Sequence, residues 1–501
     1  MAPESDVGNT DSADSPTHSP SKSLYTARGV SFALLANPTV QAIRFASKLA
    51  LPWLVTTEQF GEATLAGVIM FGVQHVAVFG LDEALISAPH IDAPLYARAR
   101  RLQTLIGVML AVLIAGVGAS MQWSSEQAGL GKLLIALAPM TIIANLGTLP
   151  TAILIRDRCF ARIFAVDLIM ITTLTSVSVG SAALGAGEWS LVYAWHANAL
   201  ASLVAASIFA RPLLPKHVGG AVSLESVRKN GAHFTGAALL GYIGERLDSA
   251  SVGFGLGRAA LGLFELAQTQ SQVMVNYASS VSERLLFPTF ALQHRIGSLT
   301  SAYVQALRIT LIFLLPLHVL LALMAEPIVN TFFPPRWGSA APLLSCLAMA
   351  AGARCFDVTA ITALKAAAAG RTVFHLGVLR IGLLVVALAL SLPYGVGAVA
   401  GAVLGGRILA ALASMTAAWR RLDLNTTSAA SELSAAGAAF TMWALVFAPA
   451  AWYLESILEG AAVPLIAVVP LTALVAWITA RGLLDRRALA REMAHVRGWL
   501  E

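Results

Sequence analysis

The sequence predicts an all-α polytopic membrane protein with about 14 transmembrane helices, built as two six-helix lobes plus two C-terminal helices. Three observations carry this. The chain of 501 residues is 57% hydrophobic and 12% charged, with a mean hydropathy of +0.73; a soluble chain carries a charged share of roughly 25%. Apolar runs of 20 or more residues recur along the whole length, and each is long enough to cross a ~30 Å hydrocarbon core. Basic residues fall mostly between these runs, where they set orientation. The runs are continuous rather than alternating at period two, which excludes a β-barrel.

Taken in order, residues 1–27 are rich in Ser, Asp, Thr and Pro and read as a disordered cytoplasmic tail. They lack the basic n-region and short apolar h-region of a cleaved signal peptide. The first lobe, 28–210, holds apolar runs at 30–55, 61–86, 102–122, 132–154, 162–184 and 189–210. The stretch 211–231, with Pro212, Pro215 and Gly219-Gly220, is the longest soluble connection and reads as a cytoplasmic linker. The second lobe, 232–420, holds runs at 232–255, 261–283, 302–325, 339–363, 372–393 and 396–418. Residues 421–501 add runs at 434–457 and 461–482 and a basic cytoplasmic tail. The run at 261–283 is unusually rich in Gln and Ser, and the run at 30–55 carries Asn37-Pro38 and two basic residues.

A short internal similarity fits the division. Glu58 to Ala66 (EQFGEATLA) resembles Ala259 to Ala267 (AALGLFELA), and each is followed by a Glu-led tetrad at Glu83 and Glu283. Six runs per lobe put both copies the same way up, as parallel repeats about an axis along the membrane normal. Chance similarity in a biased composition explains the match as well. Gly, Ala and Ser within the runs, as in Gly397 to Gly406, let helix backbones approach closely, and Pro38, Pro139, Pro150 and Pro316 are places where kinks are expected.

With the N-terminus in the cytoplasm, 23 of the 33 basic residues fall in cytoplasmic segments and 3 in outer loops, namely Lys132, Arg258 and Arg336. Such a split is a strong positive-inside signal, and one missed span would scramble it. The remaining 7 lie inside runs: Arg44, Lys48, Arg246, Arg308, Arg354, Arg380 and Arg407. Each charge at that depth costs at least ~2.5–3.5 kcal/mol on insertion scales, so it needs a partner or a wet cavity. Arg308 and Arg380 sit near span ends and can snorkel; Asp167 and Glu265 are also near ends; Arg354 and Asp357 are spaced to pair along one helix face.

Arg44 and Lys48 are four apart, repel each other, and meet no acid in their own run. Arg246 and Arg407 lie at similar depth in the other lobe. Cations in excess of acids suit an anionic ligand, for which a phosphate group is the natural candidate. Glu245 and Asp248 are three apart and read either as an acid pair holding one proton or a sodium ion, or as neutralisers of Arg246.

The sequence carries no Walker A motif, GxSxG or HExxH. His75, His196 and His318 are isolated, and Cys159, Cys346 and Cys355 have no metal-ligand spacing. The outer loops are short, so no enzyme, cofactor or metal is expected. The net charge of +6 reflects loop topology and not nucleic-acid binding.

Four stretches carry a resemblance: Gln59-Phe60-Gly61; Gly80 to Ile86 (GLDEALI); Ala260 to Ala267 (ALGLFELA) with Leu286-Phe287-Pro288; and Arg336 to Leu344 (RWGSAAPLL). In order and spacing they resemble the Wzx-like oligosaccharide and polysaccharide flippases of the multidrug/oligosaccharidyl-lipid/polysaccharide exporter superfamily, over about 28–420. The family's more common Tyr after Gly-Leu is Phe264 here. The resemblance implies a central cavity between the lobes that opens alternately to each side and is lined with basic residues. It implies a polyprenyl-pyrophosphate-linked oligosaccharide as substrate, moved to the outer leaflet of the bacterial cytoplasmic (inner) membrane for cell-surface lipopolysaccharide or exopolysaccharide synthesis. The partners implied are membrane lipids, a polysaccharide polymerase and glycosyltransferases. On this reading Arg44, Lys48, Arg246 and Arg407 hold the pyrophosphate, and Glu245 and Asp248 are candidates for ion coupling. Two other readings stay open: a cation-coupled drug or metabolite antiporter of the same superfamily, and a membrane polysaccharide polymerase or ligase, which would need a long catalytic outer loop.

The topology is open to direct test. Single cysteines near Lys132, Glu188, Arg258 and Arg336 should react with an impermeant reagent from outside, and cysteines near Arg100 or Arg421 should not. Outside labelling at Arg421 would show a miscounted span.

Overall fold

The structure, a computed structural model, describes residues 40, 43–44, 46–77, 85–86, 93–157, 159–214, 224–282, 286–423 and 434. The expected tail at 1–27, residues 215–223 of the linker, the run at 434–457 beyond Ser434 and the run at 461–482 lie outside the described residues. All described regular structure is helical, as the bilayer requires, since helices satisfy their backbone groups internally.

A helical segment at 46–54 leads into α1 (Thr57–Ala77), α2 (Ala93–Met121), α3 (Ala128–Arg156), α4 (Phe160–Ala183) and α5 (Trp189–Ala210). Next come α6 (Leu224–Gly255), α7 (Arg258–Val281) and a short α8 (Phe287–Arg295). The helix α9 (Leu299–Leu323) is followed by a short α10 (Ala325–Phe332). The last three are α11 (Ala341–Ala366), α12 (Gly370–Ser391) and α13 (Val396–Arg421). Among the described residues, eight helices are long and apolar enough to cross a membrane: α2 to α5, α9 and α11 to α13. Their outward faces are apolar, as with Leu105, Met109 and Val112 on α2 and Val385, Val386 and Leu390 on α12. An apolar surface of this extent is what lipid covers.

The more polar α1, α6 and α7 pack on one another: α1 runs along α7 and α6, while α7 also lies on α11. The helix start of α1 is set locally. Thr56 and Gln59 form a reciprocal capping box, the Gln59 amide donating to Thr56 Oγ1 (3.2 Å) and the Thr56 amide to Gln59 Oε1 (3.0 Å). One turn on, Gly61 meets α7. A Cβ there would overlap the Arg258 carbonyl oxygen, and a Cβ on Gly262 would overlap that of Thr57. Each glycine therefore accepts the carbonyl found four residues before the other. The two similar stretches of sequence meet at this reciprocal contact, where small residues allow backbones to touch.

The same end carries a second set of contacts. The helical segment 46–54 ends with carbonyls that lack intrahelical donors. Arg336 Nη2 donates to the carbonyls of Pro52 and Trp53 (2.9 Å each), and Trp337 Nε1 donates to Pro52 (2.9 Å). Trp53 Nε1 returns a bond to the Phe332 carbonyl (2.9 Å). Phe60 packs edge-on against the fully buried Trp337, centroids 5.8 Å apart. Gln59, Phe60, Gly61, Arg336 and Trp337, all in the stretches that carry the family resemblance, are thus parts of one closure.

Of the expected kink sites, Pro139 and Pro150 lie inside a continuous α3. Pro316 follows a π-helical turn, Thr310–Leu314, where the missing proline N–H and its ring displace the regular ladder.

Gly61→Ala should force α1 and α7 apart and lower the unfolding temperature, since overpacking costs ~1–3 kcal/mol. Gly116→Ala, where an added Cβ meets nothing within 4 Å, should not. Thermal unfolding of the two variants side by side makes the comparison.

Candidate site: a cation-rich polar cluster

The polar side chains of α6 lie within two turns, 242–249, and face neighbours on either side. Arg246 Nη1 pairs with Glu265 Oε1 of α7 at 2.9 Å. The Glu265 side chain is 11% exposed and that of Arg246 is 40% exposed, so the guanidinium faces open space beyond the pair. Ser249 Oγ lies 3.1 Å from both Glu265 Oε2 and Gln268 Oε1. Gln268 Nε2 is 3.1 Å from Asp248 Oδ2, and the Ser249 amide donates to Asp248 Oδ1 at 2.8 Å. Asp248 is fully buried. Tyr242 Oη, one turn back, donates to the Val68 carbonyl of α1 at 2.7 Å, and its ring lies 4.5 Å from that of His75.

Two further ion pairs complete the cluster. Arg354 Nη2 of α11 reaches Glu245 at 2.6 Å, and its Nη1 donates to Gln272 at 3.3 Å. Arg380 Nη2 of α12 pairs with Asp357 at 2.8 Å, and Ser414 Oγ of α13 donates to the same oxygen at 2.6 Å. The Arg354–Asp357 pair expected along one face of α11 does not form. A buried carboxylate needs several donors, and α12 and α13 supply them where one arginine on its own helix cannot.

The three pairs leave Arg44, Lys48 and Arg407 with no ion-pair partner within 4.0 Å among the described residues. Lys48 lies in the field of Arg44, Glu265 and Arg246. Arg407 lies in the field of Arg354, Asp248, Arg380 and Asp357. Asp248 feels both groups, Arg407 before Arg246. Arg44 is exposed, and Lys48 and Arg407 are half-buried. Glu245 and Asp248 take separate partners and do not bond to each other.

Sequence reasoning placed Glu265 near a span end and passed over Gln268 and Ser249. The signal was present in the Gln- and Ser-rich α7, where Glu265, Gln268 and Gln272 recur at i, i+3 and i+7 and form one helical face. The isolated histidines bond to backbone: His75, His196 and His318 each contact the carbonyl four residues back. Among the described residues no cluster of three or more His, Cys, Asp or Glu could hold a metal ion. A cavity of about 290 Å³, lined by Thr148, Thr151, Asp167 and Ser202, lies among α3, α4 and α5 and shares no residue with the cluster.

The chain matches the family described as "Polysaccharide biosynthesis protein" over residues 50–342. A comparison with curated proteins finds no match. Among solved structures, the chain is similar to the lipid II flippase MurJ in an inward closed conformation. The TM-score is 0.71 at 15% identity, over 91% of this chain and 100% of that one. An inward-facing multidrug resistance transporter of the MATE family, in the MOP superfamily, gives a TM-score of 0.56 at 15% identity, over 77% of this chain and 94% of that one. A MOP superfamily transporter from Pyrococcus furiosus gives 0.51 at 14% identity, over 79% and 95%. At these identities the likeness establishes the fold alone; with eight described helices long and apolar enough to cross a membrane, the chain is a multi-pass membrane protein.

The Asp357 site gives a prediction independent of substrate. Arg380→Ala leaves Asp357 with one side-chain donor and should lower stability by about 1–3 kcal/mol. Adding Asp357→Asn should recover part of that loss, as measured by thermal unfolding of the single and double variants.

Proposed function

Because the chain belongs to the polysaccharide biosynthesis protein family, we propose that it flips a polyprenyl-pyrophosphate-linked oligosaccharide across the cytoplasmic membrane by alternating access. The observation that carries this reading is the cation surplus: Arg44, Lys48 and Arg407 have no ion-pair partner among the described residues. Unpaired cations at membrane depth need an anion or water. A pyrophosphate supplies several charged oxygens, and a guanidinium can meet two of them with parallel bonds. Arg246 joins the site because its pair with Glu265 uses one nitrogen and leaves the rest of the group exposed.

In this proposal 28–210 and 232–420 are the two lobes, joined at 211–231, and the chain has fourteen spans with both termini cytoplasmic. Arg44 and Lys48 belong to the first lobe and Arg246 and Arg407 to the second, so the headgroup bridges them across a central cavity. The closure made by Gly61, Gly262, Arg336 and Trp337 is the outer door, and it must part before the lipid leaves. The lipid tail stays in the hydrocarbon of the bilayer while the protein shelters charge and sugar. No covalent step is involved. The likeness to a lipid II flippase supports this reading. A drug antiporter reading, which the MATE likeness would also suit, leaves the surplus cations without a task.

Transport of a lipid-linked oligosaccharide into vesicles tests the site. Arg44→Ala, Lys48→Ala and Arg407→Ala should each reduce flipping by roughly 10- to 100-fold, the equivalent of a lost charge-assisted bond of about 1.5–3 kcal/mol, with protein abundance unchanged. Arg44→Lys should keep part of the activity. If Arg44→Glu combined with Glu245→Arg restored transport, the cations would be structural and the headgroup site would fall.

A further inference from the structure

The chain of contacts from Glu265 through Ser249 and Gln268 to Asp248 is one hydrogen short. A serine hydroxyl offers one hydrogen and a side-chain amide offers donors on its nitrogen alone. Ser249 Oγ stands 3.1 Å from Glu265 Oε2 and 3.1 Å from Gln268 Oε1. With both acids ionised, its single hydrogen can serve only one of these acceptors. Turning the Gln268 amide over moves the shortage without curing it. Gln268 Nε2 then donates to Ser249 and Ser249 to Glu265, but Gln268 Oε1 faces Asp248 Oδ2 across 3.1 Å with no hydrogen between them. In either orientation one added proton completes every bond. Ser249 is fully buried and Gln268 is 7% exposed, so bulk water does not make up the difference.

We propose that Glu265, Ser249, Gln268 and Asp248 form a one-proton site, in which one carboxyl is protonated whenever the other is ionised. In the state seen here Glu265 accepts from Arg246, which marks it as the ionised member. With the Gln268 amide turned over, the proton then sits on Asp248 Oδ2, which donates to Gln268 Oε1; Gln268 Nε2 donates to Ser249 Oγ, and Ser249 Oγ donates to Glu265 Oε2. If Arg246 is drawn away, the proton belongs on Glu265 Oε2 instead. It then donates to Ser249 Oγ, Ser249 donates to Gln268 Oε1, and Gln268 Nε2 donates to an ionised Asp248. The total count of protons is the same in both arrangements. The charged and titratable groups facing the site are Arg246 and Tyr242 on α6, Lys48 on the segment 46–54 and, at the Asp248 end, Arg407 on α13. A neutral Asp248 leaves Arg407 without that anion beside it, which on the flippase reading keeps the guanidinium for the headgroup. Glu265 was not among the residues considered for coupling from the sequence, and Glu245, bonded to Arg354, takes no part.

Infrared spectroscopy of the full chain in lipid vesicles, in light and heavy water at ~pH 7, tests this without any substrate. The native chain should show a carboxylic-acid C=O band, shifted by deuteration and by carbon-13 labelling of aspartate carboxyls. Asp248→Asn should remove it. Glu265→Gln should remove it as well, because the new amide donates to Ser249, frees the Ser249 hydrogen for Gln268 and lets Asp248 ionise. A band that survives Glu265→Gln would mean that Asp248 is protonated on its own account and would overturn the shared site. Absence of any aspartate-labelled acid band in the native chain would overturn it with no substitution needed. Neither result bears on whether the chain flips lipid, so the two readings fail separately.

Discussion

A charge at bilayer depth has no water to solvate it, and its burial is tolerated only when another group takes water's place. The inner faces of α6, α7 and α11 to α13 follow from that constraint. Three arginines, Arg246, Arg354 and Arg380, each find a carboxylate on a different helix. These pairs tie together helices that lipid alone would not hold in register, since lipid tails are as apolar as the helix faces they would replace. The apolar residues of α2, α4, α5 and α12 can then face outward, while the polar ones are gathered in one place.

The second organising feature is close backbone approach. Gly61 and Gly262 sit at matching places in two similar stretches and fit against each other's preceding turn. With side chains on both, α1 and α7 could not meet at that end. The Arg336 and Trp337 bonds to Pro52 and Trp53 reinforce the same contact with directional hydrogen bonds to carbonyls that a helix end leaves free. On the proposed function, this is the contact that must part for alternating access.

The cation cluster and the hydrogen-bond chain beside it are linked through Arg246, which touches Glu265 and also lies open to the space where Lys48 exerts its field. An anion that engages Arg246 changes the surroundings of Glu265 directly. Polar networks in a low dielectric respond strongly to such a change, because each bond polarises the next. The proposed headgroup site and the proposed proton site are therefore neighbours in chemistry as well as in space.

Hydropathy was enough to read an all-helical membrane fold. A helix in lipid satisfies its own backbone, so each long apolar run specifies its own structure without reference to the rest of the chain. The helices α2 to α5, α9 and α11 to α13 fall where the runs predicted them. That seven basic residues lie inside the runs was also legible, because it is a count. Which cation meets which acid was not. Arg354 turned from Asp357, three residues away, to Glu245, 109 positions earlier in the chain. Glu265, which looked like a span-end residue, became the partner of Arg246. Side-chain pairing depends on the rotation and depth of each helix against its neighbours. Those are set by contacts such as Gly61 on Gly262, between residues far apart in the sequence, and only the packed tertiary structure decides them.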